Sequence, residues 1–219
     1  MNPDGTGLTQ LTDNNGPDSE PAYSAYGNKI VFVRGADVWV MNSNGTGQTR
    51  LTYNVTQQSG YDHDPAFSPD DTRIVFSRSD LNTEVYVMDA NGSHQRNLSS
   101  SPTSDYGPVF SPNGARIAFT SDRDGDNEIY KMKADGTGTP INLTNNSVPD
   151  EQPSFSPEGK RLAYVSHRKG DNEIFTMQTE GTDKVRLTSN AFEDDAPAYS
   201  PDGQRLVYGG LRFHREDED

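Results

Sequence analysis

Five aspartates stand at one place in a pattern that recurs along the chain. Asp18, Asp62, Asp105, Asp150 and Asp194 each precede a proline by three residues. Their neighbours change from copy to copy, and the carboxylate does not. A ring of carboxylates at one mouth offers two kinds of chemistry. Hard cations such as Ca2+ take several carboxylate oxygens at once, so the five are candidate metal ligands and candidate ligand-binding groups. Paired carboxylates ~5 to ~9.5 Å apart also serve glycosidases. Repetition in every copy argues against catalysis, because a catalytic acid belongs to one copy. A third use is structural: each carboxylate accepts hydrogen bonds from backbone N–H groups or a serine of the next copy. Two charges ~7 Å apart repel by roughly 2 kcal/mol at an effective dielectric near 20, so the ring needs either a cation or such a latch.

Other reactive groups are sparse. His63, between Asp62 and Asp64, is the histidine best placed to touch a ligand at that mouth, although a polar loop residue is the plainer reading. His94, His167 and His214 fall in hairpins or the tail. There is no Gly-x-Ser-x-Gly elbow, no His-x-x-x-His and no phosphate cradle. The segment Asp122 to Glu128 resembles a calcium loop, but Asn127 and Lys133 stand where such a loop needs Gly and Glu, so it reads as a hairpin turn. No cysteine is present, which removes thiol nucleophiles, disulfides and thiolate zinc sites. The expectation is a chain with no catalytic residue and no required cofactor, Ca2+ being the one ion the ring suggests.

The elements that position these groups follow from the repeat. Pro21-Ala22-Tyr23-Ser24, Pro65-Ala66-Phe67-Ser68, Pro108-Val109-Phe110-Ser111, Pro153-Ser154-Phe155-Ser156 and Pro197-Ala198-Tyr199-Ser200 recur at steps of 44, 43, 45 and 44 residues. A Pro/Asp/Gly turn follows each serine except the first, which has Ala25-Tyr26-Gly27. Next come a basic residue (Lys29, Arg73, Arg116, Arg161, Arg205) and three apolar residues, such as Ile30-Val31-Phe32 and Ile74-Val75-Phe76. Such runs suit strands buried on both faces. A third strand ends in Met41, Met88, Met132 or Met177, and a fourth carries Leu51-Thr52, Leu98, Leu143-Thr144 or Leu187-Thr188. Each unit is a four-stranded antiparallel meander of the size of a propeller blade. The expected fold is an all-β propeller with blades beginning near residues 17, 61, 104, 149 and 193. The aromatic of each first strand should be buried between blades, and the five basic residues should lie at the far rim, paired with turn carboxylates.

The composition alone points elsewhere. A formal charge of −14 with 30% hydrophobic residues is typical of disordered chains. Aromatics at fixed intervals overrule it, because neighbouring blades can cover faces that one blade cannot bury. The acidity and the lack of a basic cluster disfavour nucleic acid. No apolar run approaches a transmembrane helix, and Met1 to Gly5 lacks the marks of a signal peptide.

The two ends complete one another. Met1-Asn2-Pro3-Asp4-Gly5-Thr6-Gly7 matches Met41-Asn42-Ser43-Asn44-Gly45-Thr46-Gly47, so residues 8–12 read as the fourth strand of a unit. The last unit shows two strands, with Leu211-Arg212-Phe213 a candidate third, before a charged tail. Pairing of Leu8 to Thr12 with residues 197–213 would close a five-bladed ring and make residues 1–219 one propeller domain. The alternative is a piece of a longer propeller, such as a six-bladed one.

The units, of the form Asp-x-x-Pro-x-(Phe/Tyr)-Ser-Pro-Asp-Gly with Arg-(Ile/Leu)-(Val/Ala)-(Phe/Tyr), Glu-(Ile/Val)-(Tyr/Phe)-x-Met and Leu-Thr following, resemble the TolB-type propeller repeat over nearly the whole chain. The resemblance implies a periplasmic or secreted propeller that binds protein partners, among them the peptidoglycan-associated lipoprotein. Nothing in this sequence corresponds to the α/β domain that precedes the propeller in TolB. Similar repeats are attached to peptidases and occur in polysaccharide lyases. Two functions are therefore open: a non-catalytic monomer presenting loops around a channel to a protein or peptide, or a carbohydrate- or peptide-processing enzyme with carboxylates at the channel mouth.

Overall fold

A computed structural model describes residues 1, 4–53, 60–168 and 170–211. Among them every regular element is a strand, and no helix is long and apolar enough to cross a membrane. Blade 1 comprises β1 (Asp18–Tyr23), β2 (Lys29–Arg34), β3 (Asp37–Asn42) and β4 (Thr49–Arg50). Blade 2 comprises β5 (Tyr61–Phe67), β6 (Arg73–Ser79), β7 (Thr83–Asp89) and β8 (Arg96–Asn97). Blade 3 comprises β9 (Asp105–Phe110), β10 (Arg116–Ser121), β11 (Glu128–Lys133) and β12 (Ile141–Asn142). Blade 4 comprises β13 (Asp150–Phe155), β14 (Arg161–Arg168), β15 (Asp171–Gln178) and β16 (Val185–Arg186). The fifth sheet has two strands, β17 (Glu193–Tyr199) and β18 (Leu206–Leu211). All pairs are antiparallel meanders, and the expected blade boundaries fall within a residue of the observed ones.

The turn between first and second strands is held by the serine of the repeat. Ser68 Oγ accepts the Arg73 N–H at 2.9 Å and donates to Asp70 at 2.6 Å. Ser24, Ser111, Ser156 and Ser200 hold the same turn in their blades.

The core lies between blades. Val31, Val38 and Leu51 of blade 1 pack on Ile74, Phe76 and Met88 of blade 2. The same layers recur between blades 2 and 3 and between blades 3 and 4. The second strand is buried on both faces, as its apolar run demands, in blades 1 to 4. In the fifth sheet Val207 is 68% exposed. The first-strand aromatics divide accordingly. Phe110 is 9% exposed, and Phe67 and Phe155 are half-buried against the preceding blade. Tyr23 is 65% exposed, contrary to expectation, because among the described residues no sheet packs on that side of blade 1.

The expected closure is not made. Residues 8–12 form no strand, and β17–β18 is a separate two-stranded sheet. Leu11 instead packs against Ile30, Phe32 and Met41 of blade 1. There it copies the outer-strand leucine of a preceding blade. A Cβ on Gly45 would lie 2.6 Å from the Leu11 carbonyl oxygen, as one on Gly181 would lie 2.7 Å from that of Leu143. Burial of Leu11 on an otherwise open face is thus what places this segment. The candidate third strand at Arg212 and Phe213 lies outside the described residues, as does His214.

Candidate channel site

The first strands of successive blades touch one another around a central space of about 530 Å3. In every blade the pairing of first and second strands slips at one point, for example between Ser19 and Ala22 and between His63 and Ala66. The residue before each proline is there left-handed: Glu20 (φ 53°), Asp64 (φ 51°), Gly107 (φ 61°), Gln152 (φ 55°) and Ala196 (φ 48°). The residue before proline ordinarily stays extended, and left-handed non-glycine residues cost on the order of 1–3 kcal/mol each. These five residues and their prolines line the channel.

The strain is offset by ties between blades. Asp64 N–H donates to Glu20 Oε2 at 2.6 Å. Gly107 N–H donates to Ser77 Oγ at 3.1 Å and Asp64 Oδ2 at 3.3 Å. Gly107 offers no side chain, and the Gln152 N–H goes instead to Thr120 Oγ1 at 3.3 Å. Ala196 N–H donates to Gln152 Oε1 at 2.6 Å. Each side chain of one blade thus holds the bulge of the next.

The five aspartates of the repeat do not form the channel wall. Asp62, Asp105 and Asp150 are fully buried and Asp194 nearly so, each inside its own blade. Arg78 grips Asp62 through Nε at 2.7 Å and Nη2 at 3.0 Å. Arg34 grips Asp18 in the same way, at 2.6 and 2.9 Å. Arg123 Nη2 reaches both oxygens of Asp105. Asp150 and Asp194 take the amides of Asn146 and Asn190. Among the described residues no three His, Asp or Glu side chains stand close enough to hold a metal ion. The geometry is that of a latch, and in blades 1 to 3 its partner is an arginine at or just past the end of the same blade's second strand. Each arginine also lies over aromatic rings, Arg78 over Phe76 and Tyr86 at 5.2 and 4.9 Å.

The latches differ in electrostatics. Hydrogen bonds from Arg34 hold Asp18, whose side chain is 15% exposed, down to a pKa of about 2. Burial pushes Asp105 and Asp150 above the usual carboxylate range despite their partners.

A second acidic latch opens the third strand. Glu128 accepts from Thr144 Oγ1 and from the Asn146 N–H, and Glu173 accepts from Thr188 Oγ1 and Arg186. These threonines are those of the Leu-Thr motif. The acidic residue itself stands in the third-strand motif, where its spacing from Leu-Thr could have marked it.

His63 stands at the channel rim, half-buried and stacked on Tyr61 at 6.4 Å. Its Nδ1 lies 3.8 Å from Glu20 Oε1 across the blade boundary. That neighbour raises the histidine pKa, and the histidine lowers that of Glu20. Asp64 is raised, first by burial and then by the charge on Glu20. Of the residues expected at the mouth, His63 alone lies beside the channel-lining set. Glu20, Asp64 and Gln152 were missed, since no shared residue type marks the bulge. At the far rim, Arg161 pairs with Asp183 as expected, whereas Arg73 bonds backbone carbonyls of blade 3.

Antiparallel four-stranded sheets sharing a central channel and packed face to face define a β-propeller. The chain belongs to the TolB beta propeller domain family, whose model matches residues 48–210. It is 31% identical to a TolB homolog of Chlorobium luteolum over 139 residues, covering 62% of this chain and 30% of that protein. It is 42% identical over 55 residues to the Tol-Pal system protein TolB of Bordetella pertussis, covering 25% of this chain and 13% of that one. The chain therefore spans less than a third of these relatives. The structure of putative TolB from Agrobacterium tumefaciens superposes with a TM-score of 0.83 at 21% identity, covering 94% of this chain and 74% of that one.

Proposed function

We propose that the chain is a non-catalytic binding module whose channel mouth receives a protein or peptide, in the periplasm. The observation that carries this reading is the channel wall. The fold repeats one strained bulge five times, yet the side chains it presents are all different, Glu20, Asp64, Gly107, Gln152 and Ala196. A wall serving only the fold would repeat its side chains, as the buried aspartates do. The Tol-Pal name of a relative supports a protein partner. The enzyme alternative gains nothing from the aspartates, which are each engaged within a blade.

The test is calorimetric titration with the soluble part of the peptidoglycan-associated lipoprotein. Glu20→Gln keeps the tie to the Asp64 N–H, and Gln152→Ala opens the wall. Together they should weaken binding at least about tenfold, or about 1.4 kcal/mol. Binding by the parent that both variants leave untouched would overturn the channel reading.

A further inference from the structure

On the rim away from the channel mouth, neighbouring blades enclose a crevice beside the first-strand aromatic of the later blade. At the boundary of blades 2 and 3 a cation from the chain itself enters it, leaving about 360 Å3 beside Arg73, Gly114 and Ala134. The Arg73 guanidinium lies 5.1 Å from the centre of the Phe110 ring and donates to the carbonyls of Ala134 and Gly114 at 3.4 and 3.2 Å. At the boundary of blades 3 and 4 Lys131 enters the crevice from the third strand and leaves about 280 Å3 beside Phe155, Gly159 and Thr179. Its Nζ donates to the Thr179 carbonyl and lies 3.1 Å from Glu180. Ala134 and Thr179 hold the same place, one residue past the third strand.

The boundary of blades 1 and 2 has neither plug. Val40 occupies the register of Lys131, opposite Val31 as Lys131 is opposite Ala118. Lys29 occupies the register of Arg73, but its Nζ is held by Asn42 Oδ1 at 2.8 Å. The crevice, about 270 Å3, is lined by Tyr26, Lys29, Val40, Phe67, Asp71 and Ala90. It keeps the groups that receive the cation elsewhere: Phe67 in the place of Phe110, and Ala90 in the place of Ala134 and Thr179. It adds two that the other crevices lack. Asp71 stands where they have Gly114 and Gly159, and the Tyr26 ring, 76% exposed, stands at its edge.

We propose that this crevice is a receptor for an arginine side chain of a partner protein. At two other boundaries a cation of the chain itself bonds the carbonyl one residue past the third strand, and at one of them it also lies over the first-strand aromatic. Arginine fits better than lysine because its plane stacks on Phe67 and Tyr26 while separate N–H groups reach Asp71 and the Ala90 carbonyl. The charge of −14 favours a cationic partner. The proposal rests on the reading of the chain as a protein-binding module and places a second contact on its opposite rim.

The full chain, 15N-labelled, is titrated with acetyl-Gly-Arg-Gly-amide, with its citrulline isostere and with free arginine. The arginine peptide should shift the Asp71 and Ala90 amides to saturation, and the citrulline peptide should not. Asp71→Gly, which restores the residue of the repeat, should weaken binding at least about fivefold. Val40→Lys copies the internal plug of blade 3 and should abolish binding while the melting temperature holds. If Val40→Lys does not fold, Asp71→Gly alone decides. Equal shifts with citrulline, no saturable shift at these amides, or undiminished binding by the variants would overturn the proposal. Tighter binding of free arginine than of the peptide would overturn the protein partner. Glu20→Gln should leave this titration unchanged, so failure here and failure at the channel are told apart.

Discussion

Asp71 Oδ1 lies 2.6 Å from the Ala25 amide nitrogen, across the boundary of blades 1 and 2, and its Oδ2 lies 3.2 Å from that of Tyr26. The other boundaries place a proline of one turn against a glycine of the next. A Cβ on Gly159 would lie 3.4 Å from Pro112 Cδ, and one on Gly203 would lie 3.4 Å from Pro157 Cδ. Two departures from the repeat are therefore one event: Ala25 supplies the N–H that proline lacks, and Asp71 accepts it. Ala25→Pro alone should destabilise by about 1–2 kcal/mol, since it removes the shorter of the two hydrogen bonds to this carboxylate. Adding Asp71→Gly should recover most of that, because it also removes a left-handed non-glycine residue (φ 56°). A double-mutant cycle by urea unfolding measures the coupling, and additive effects would refute it.

The arginine latches should differ with burial. Arg78→Ala strands a fully buried Asp62 and loses two aromatic contacts, so it should cost about 3–5 kcal/mol. Arg34→Ala leaves Asp18 within reach of water and should cost about 1–2 kcal/mol. Denaturant midpoints at constant slope check the order.

Among the first-strand aromatics, Phe110→Ala should cost about 3–5 kcal/mol, as deletions of large buried rings do. Tyr23→Ala, on the open flank, should cost under about 1 kcal/mol. Equal losses would mean that Tyr23 is covered in solution.

Acid should first strengthen and then weaken the fold. Asp105, Asp150 and Glu128 have raised values from burial, and His63 has a raised value from Glu20. The stability that such groups contribute is fully present below their unfolded values and is lost as pH rises through the folded ones. Asp18 and Asp70, both held at about 2, act in reverse. Their contribution is present above the unfolded value and is lost as pH falls toward 2. The melting temperature at fixed ionic strength should rise from pH 8 to about pH 5 and fall from about pH 4 to pH 2. A steady decline from pH 8 downward would contradict these assignments.

Millimolar Ca2+ should raise the melting temperature no more than Na+ at equal ionic strength, because each repeat aspartate already has its own partner. A Ca2+-specific increment that Asp62→Asn removes would restore the shared-cation reading.

Much of the fold was legible because one residue type serves one purpose in every copy. Proline, aromatic and serine at fixed spacing gave the first strand and its turn, and three apolar residues gave the strand buried on both faces. The aspartates were legible as a constant feature, but their partners were not. The arginine stands 16 residues on in blades 1 and 2 and 18 in blade 3, since the second-to-third-strand hairpin varies in length. The channel wall was least legible. Its bulge is imposed by ties between blades, so Glu, Asp, Gly, Gln and Ala all serve there, and the residue before proline ordinarily predicts extended backbone. The course of residues 8–12 depended on which open face a single leucine would find.

The ties along the channel run one way only. Glu20 holds the bulge of blade 2, Asp64 that of blade 3 and Gln152 that of the fifth sheet, and no blade leans back on its successor through these groups. The ribosome delivers the chain in the same order. From blade 2 onward each unit that emerges meets an acceptor already seated on the unit before it, so those strained bulges are not formed ahead of the contacts that offset them. A chain of nearest-neighbour units thereby acquires a direction of growth from its amino to its carboxyl end.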